Sequence, residues 1–172
     1  LQMVLAEISL CEQAMRDCEE QLARWHADDD IVHKLDEVSG IGLLTASALK
    51  TAVGKPERFA SGRHLSAWLG MTPNEYSSGE RRRLGCISCK GNTYVRTLLI
   101  HGARAALLAA KRCQTRTPER LTQLQRWALQ TAERIGHNKA AVALANKLVR
   151  ICWAVWCHER RFSGDWQSAR PA

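Results

Sequence analysis

Eight residues at the start of the chain, Leu1, Val4, Ile8, Cys11, Met15, Cys18, Leu22 and Trp25, recur at alternating steps of three and four. That spacing lays them along one stripe of a helix, the seam of a heptad repeat, and it predicts a coiled-coil helix over residues 1–27. The residues between them, among them Glu7, Glu12, Gln13, Arg16, Asp17, Glu19 and Glu20, are polar. A helix of this kind must bury its stripe, against a second copy of the chain or against a helix of its own body. Asp28-Asp29-Asp30 breaks the period and reads as a linker or as the N-cap of the next helix.

Downstream, helical periodicity is punctuated by glycine and proline, and almost no segment alternates with period two. A small-residue helix spans Leu43 to Val53, stopped by Gly54 and Pro56, and a short one spans Ser61 to Leu69. A long helix opens at Gly91-Asn92 and runs to about Lys111, with Val95, Leu98, Leu99, Gly102, Ala103, Ala106 and Leu107 on one face and Arg96 and Arg104 on the other. Thr117-Pro118 supplies an N-cap and first position for a helix to Arg134, ended by Gly136, and a last helix covers Lys139 to Trp156. The expected fold class is all-α: a coiled-coil helix (1–27), a compact helical domain (28–165) with a helix-hairpin-helix-like motif, and a tail (166–172). A short irregular β-like excursion is expected around Tyr76 to Ile87.

Charge is unevenly placed. Residues 1–37 hold ten Asp/Glu and three Lys/Arg, a balance of −7, whereas the remaining residues carry +15. Between Arg81 and Arg116 there are nine Lys/Arg and no Asp or Glu, which favours a polyanionic partner, nucleic acid first, through counterion release. No apolar run reads as long enough to span a bilayer, no signal peptide is evident, and a membrane partner is not expected. A cytoplasmic protein with reduced thiols fits the odd count of seven cysteines. Cys86-Ile87-Ser88-Cys89 has the spacing of half a zinc site, but no second pair follows at a suitable distance, so no metal site is assigned.

Two stretches carry candidate chemistry. Tyr76-Ser77-Ser78-Gly79-Glu80-Arg81-Arg82-Arg83 sets two hydroxyls and a glycine against three consecutive guanidinium groups, as a serine meeting a phosphodiester would need. Val38-Ser39-Gly40-Ile41-Gly42, ahead of the 43–53 helix, has the apolar, glycine, small-residue order of helix-hairpin-helix readers. There the backbone N–H groups at Gly40 and Gly42 would face a phosphate at a helix start. The same glycines would also serve close helix packing.

The ordered blocks Gly40-Ile41-Gly42, Arg58-Phe59, Gly62-Arg63, Leu65 to Pro73, Ser78-Gly79, Ile87-Ser88, Lys90 to Arg96 and Asn138 to Arg150 resemble one family. It is the C-terminal domain of transposases of insertion-sequence families 110 and 1111, related to bacterial pilin-gene invertases, and the resemblance covers residues 31–165. It implies a DNA transposase or recombinase whose helical domain donates a serine nucleophile. Here that serine is Ser78, with Ser77 as the neighbouring alternative. Arg81, Arg82, Arg83, Lys90 and Arg96 would clamp phosphates, and Asn92 would bond the nucleic-acid backbone or cap its helix. The resemblance further implies a structured guide RNA and a separate resolvase-like nuclease domain holding divalent magnesium. The chain is expected to lack that domain, to hold no cofactor itself, to self-associate through residues 1–27, and to be inactive alone. Cys89 stands where Lys or Arg is expected before Lys90-Gly91-Asn92. A noncatalytic DNA-backbone module and an assembly element are the competing readings.

Overall fold

The computed structural model describes residues 1–81 and 83–165, so Arg82 and the 166–172 tail with Trp166 lie outside the described residues. The helices are α1 (Gln2–Trp25), α2 (Asp30–Asp36), α3 (Leu43–Val53), α4 (Gly62–Trp68), α5 (Thr93–Arg116), α6 (Gln123–Ile135) and α7 (His137–His158). Strands β1 (Pro73–Glu75) and β2 (Leu84–Ile87) form one antiparallel hairpin between α4 and α5. The all-α class holds, and the expected β-like excursion is this hairpin.

Helix α7 is the centre of the body, with α4, α5 and α6 packed around it. Leu144 and Leu148 of α7 meet a core that includes Leu35, Leu49, Leu65, Leu99 and Leu107, all essentially without solvent exposure. By length and composition alone α7 would suffice to cross a membrane, which amends the expectation that no such run exists; half of that stretch is buried inside the body. Its apolarity is that of a core helix enclosed by its neighbours.

Two glycines set how closely α3 approaches α5. A side chain at Gly102 would place its Cβ 1.9 Å from the Gly40 carbonyl oxygen, and one at Gly40 would fall 2.8 Å from the Gly102 carbonyl oxygen. The two backbones therefore touch, and Gly40 adopts φ +91°, which other residues resist. Of the two roles open to Gly40, close packing is the one observed.

Helix α1 buries none of its residues, and its apolar stripe lies open to solvent along Val4, Ile8 and Met15. It joins the body at its C-terminal end. His26 meets the Ser47 hydroxyl of α3 at 2.8 Å and the Asp29 carboxylate at 3.2 Å. Asp29 accepts from the Val32 N–H as N-cap of α2 and pairs with Lys50 of α3. The acidic run is thus a helix cap and an ionic joint, not a bare linker. Burial works to raise the Asp29 carboxyl, but hydrogen bonds from Lys50, Val32 and His26 outweigh it and hold the group at about 2, below its ordinary 3.8.

Helix α6 begins at Gln123 and not at Pro118, which heads a separate 3-10 turn. A capping box explains the later start: the Gln125 N–H donates to Thr122 Oγ1 while the Gln125 side chain accepts from the Thr122 N–H.

Candidate nucleic-acid interface

The hairpin projects the serine and arginine segment away from the helices. Beyond β1, the Tyr76 N–H donates to the Arg83 carbonyl at 2.9 Å, and Ser78 and Arg81 exchange backbone bonds of 3.3 and 3.1 Å. Gly79-Glu80 closes the tip, and Gly79 takes φ +56°, the left-handed geometry such a tight turn demands. Ser78, Arg81 and Arg83 are all exposed there.

The two hydroxyls at the tip differ. Ser77 Oγ donates to Glu75 Oε1 at 2.7 Å and accepts from the Arg83 N–H at 3.1 Å, so it is part of the turn's own framework. Ser78 has no such bond among the described residues. Tyr76 is two-thirds exposed and lies against Gly85, where a Cβ would come within 3.0 Å of the ring. With Arg83 and Leu84 it lines a shallow depression on the arm.

The root of the arm is held much more firmly. Ser88 N–H donates to the Thr72 carbonyl at 2.8 Å and Cys89 N–H to the Gly70 carbonyl at 3.1 Å. A Cβ at Gly70 would lie 1.9 Å from the Lys90 carbonyl oxygen, and one at Gly91 would lie 2.0 Å from the Trp68 carbonyl oxygen. The returning strand is pressed directly onto the end of α4.

Arg96 requires a correction. It is only 8% exposed, and its guanidinium donates to the carbonyls of Leu69 (3.1 Å) and Lys90 (3.4 Å) and to Thr93 Oγ1 (3.2 Å). Its fork ties α4, the exit of the hairpin and the first turn of α5 together, which leaves it no phosphate-facing role. Asn92 caps α5, its side chain accepting from the Val95 N–H at 3.1 Å, so the capping reading of this residue is the observed one. Lys90 keeps an exposed side chain beside the arm. Gly42 is the exposed N-cap of α3; a Cβ there would meet nothing within 4 Å, and no side chain caps this helix start. It lies apart in sequence from the arm, and Gly40 is engaged with Gly102.

Cys86 and Cys89 are exposed free thiols, and among the described residues no group of three or more His, Cys, Asp or Glu gathers to hold a metal. The magnesium implied by the resemblance therefore has no ligand set among these residues. The sequence reading missed the joint of His26, Ser47, Asp29 and Lys50, which is made between helices. It also did not foresee the close backbone approaches at Gly70, Gly91 and Gly102. A glycine inside a helix costs about 1 kcal/mol relative to alanine, and at Gly102 that cost was the available signal of close packing.

The comparisons with known proteins converge on one family of transposases. Residues 32–119 match the family model described as Transposase IS116/IS110/IS902 family, and the chain belongs to that family. It is 40% identical over 153 residues to a "Probable family 20 transposase" of Pseudomonas aeruginosa, covering 89% of this chain and 43% of that protein. It is 35% identical over 162 residues to the transposase for insertion sequence element IS1111A of Coxiella burnetii, covering 94% of this chain and 43% of the relative. The transposase for insertion sequence element IS1328 of Yersinia enterocolitica is 35% identical over 154 residues, covering 90% and 44%. The chain thus spans less than half the length of these relatives.

Proposed function

We propose that this chain is the DNA-engaging, serine-bearing part of a transposase, with Ser78 as its nucleophile. The observation that carries this reading is the contrast at the arm's tip: Ser77 is spent on Glu75 and Arg83, whereas Ser78 is exposed beside Arg81 and Arg83 with its hydroxyl uncommitted among the described residues. In the proposed step Ser78 Oγ bonds to the phosphorus of a DNA phosphodiester as the bond from phosphorus to one deoxyribose oxygen breaks. The serine proton passes to a general base, and the departing sugar oxygen takes up a proton. The resulting phosphoserine ester preserves a phosphate ester bond for rejoining.

Arg81, Arg83 and Lys90 counter the charge that develops on the phosphate oxygens, and Arg96 acts behind them by fixing the arm's root. Arg82 belongs to the same basic run of sequence. The open start of α3 at Gly42 offers a second backbone contact. The exposed stripe of α1 pairs protomers, and sequence choice is left to a structured RNA partner.

The test uses a transposase carrying this domain together with the length its relatives possess, incubated with labelled duplex substrate and resolved under denaturing conditions. Ser77→Ala retains a covalent protein–DNA adduct and Ser78→Ala loses it while still binding DNA. An adduct that survives in Ser78→Ala rules out the proposed nucleophile and leaves a noncatalytic binding module.

A further inference from the structure

The outward face of α5 is basic and polar. Its 24 residues contain no Asp or Glu. Val95, Leu99, Ala103, Leu107 and Ala110 turn one side into the core. On the opposite side Tyr94, Thr97, His101, Arg104 and Arg112 are exposed and share one stripe, with the exposed Leu108 among them, and Lys111 lies at the edge of that stripe, where it lines a depression with Glu133 of α6. The ion pairs among the described residues involve Asp29, Asp30 and Glu37, so none neutralises a cation of α5. Arg96, the one guanidinium of this helix turned inward, is already occupied with backbone carbonyls.

We infer that this face is a binding track for the backbone of duplex DNA, continuous with the hairpin arm at the N-terminal end of α5. The inference rests on the proposed DNA-engaging function and names a surface for it. At a rise of about 1.5 Å per residue, Arg104 and Arg112 are separated by roughly 12 Å along the axis. That separation matches the width of a B-DNA major groove, about 12 Å. Arg104 on one side, with Lys111 and Arg112 on the other, reaches phosphates on the two walls of one groove, while His101 and Tyr94 lead back towards the arm. Exposed Tyr94 and His101, between the arm and Arg104, add hydrogen-bonding groups for phosphate and sugar without adding opposing charge.

The experiment measures binding of the 172-residue chain to a fluorescent DNA duplex by anisotropy across a salt series. The triple variant Arg104→Gln, Lys111→Gln, Arg112→Gln keeps good helix formers and should leave the circular dichroism unchanged. Each phosphate left without its cation reduces the slope of log K against log salt by about 0.9, so the triple variant should give up about 2.7 of that slope on any duplex sequence. A charge-matched control, Arg126→Gln, Arg134→Gln, Arg160→Gln, should retain the slope. The inference is overturned if the α5 variant keeps the parent slope, if the control loses as much, or if the change is confined to double-stranded RNA. Failure of the functional reading looks different: the unmodified chain then shows no salt-dependent duplex binding at all. If Arg81→Gln, Arg83→Gln weakens binding while the α5 variant does not, the arm stands and the track falls.

Discussion

Replacing Arg96 by methionine separates a structural guanidinium from a phosphate contact. The substitution keeps an apolar stem of similar reach but removes the donors to Leu69, Lys90 and Thr93. Leu69 has no exposed surface, so water cannot readily replace the missing donor to its carbonyl. A hydrogen bond to a charged group contributes about 1.5–3 kcal/mol, and stranding a buried acceptor costs about 1–3 kcal/mol. With one of the three hydrogen bonds long at 3.4 Å, a total loss of roughly 3–5 kcal/mol is expected. For a chain of this size each kcal/mol lowers Tm by about 2–4 °C, so the melting point should drop by at least about 6 °C. Differential scanning calorimetry reads this directly. Arg96→Lys preserves the charge but not the planar fork, and it should recover only part of the loss. A methionine variant that melts with the parent, yet loses about 0.9 of the salt slope in DNA binding, would refute the assignment and return Arg96 to the phosphate.

Further perturbations address other parts of the molecule. Asp29 is a depressed carboxylate, so its contribution is present above its ordinary 3.8 and fades as pH falls towards about 2; the shift corresponds to about 2 kcal/mol at neutral pH. Asp29→Asn, which retains a capping acceptor, should shed up to that amount at pH 7 and flatten the urea midpoint between pH 4 and 2. An unchanged pH profile would disprove the ionic joint. Gly102→Ala forces a Cβ against the Gly40 carbonyl and should destabilise by about 1–3 kcal/mol in chemical denaturation despite alanine's better helix propensity, whereas Gly42→Ala should be nearly neutral. Burial pushes the Cys152 thiol up to about 12, so thiol reagents at pH 8 should titrate Cys11, Cys18, Cys86 and Cys89 quickly and reach Cys152 only on unfolding. Rapid labelling of Cys152 in the native protein would contradict the packing of α7.

What could be read from the sequence was local. The boundaries of α3 follow from Gly42 and Gly54, and the heptad stripe of α1 is visible because its period survives in every turn. The exposed arm carrying Ser78 is legible from a turn glycine beside consecutive charges. The start of α6 was misplaced because Pro118 suits a first helical turn, while the stronger signal, the Thr122 and Gln125 box, sat a few residues on. Arg96 could not be assigned from its neighbours, since its deepest partner, the Leu69 carbonyl, is 27 residues away and is brought within reach only by folding. The close approach of Gly40 to Gly102 has the same origin. Charge alone marks a cation as available, and only packing decides whether a carbonyl has already claimed it.

The attachment of α1 has a mechanical consequence. A rod of 24 residues is about 36 Å long, and here it is hinged to the body near one end by His26, Ser47, Asp29 and Lys50. Whatever grips the far end of that rod gains leverage: a small lateral pull at Leu1 becomes torque on a few polar bonds beside α3. The heading of the rod is therefore set by its pivot, and softening the pivot lets it swing while the α4–α7 core stays folded.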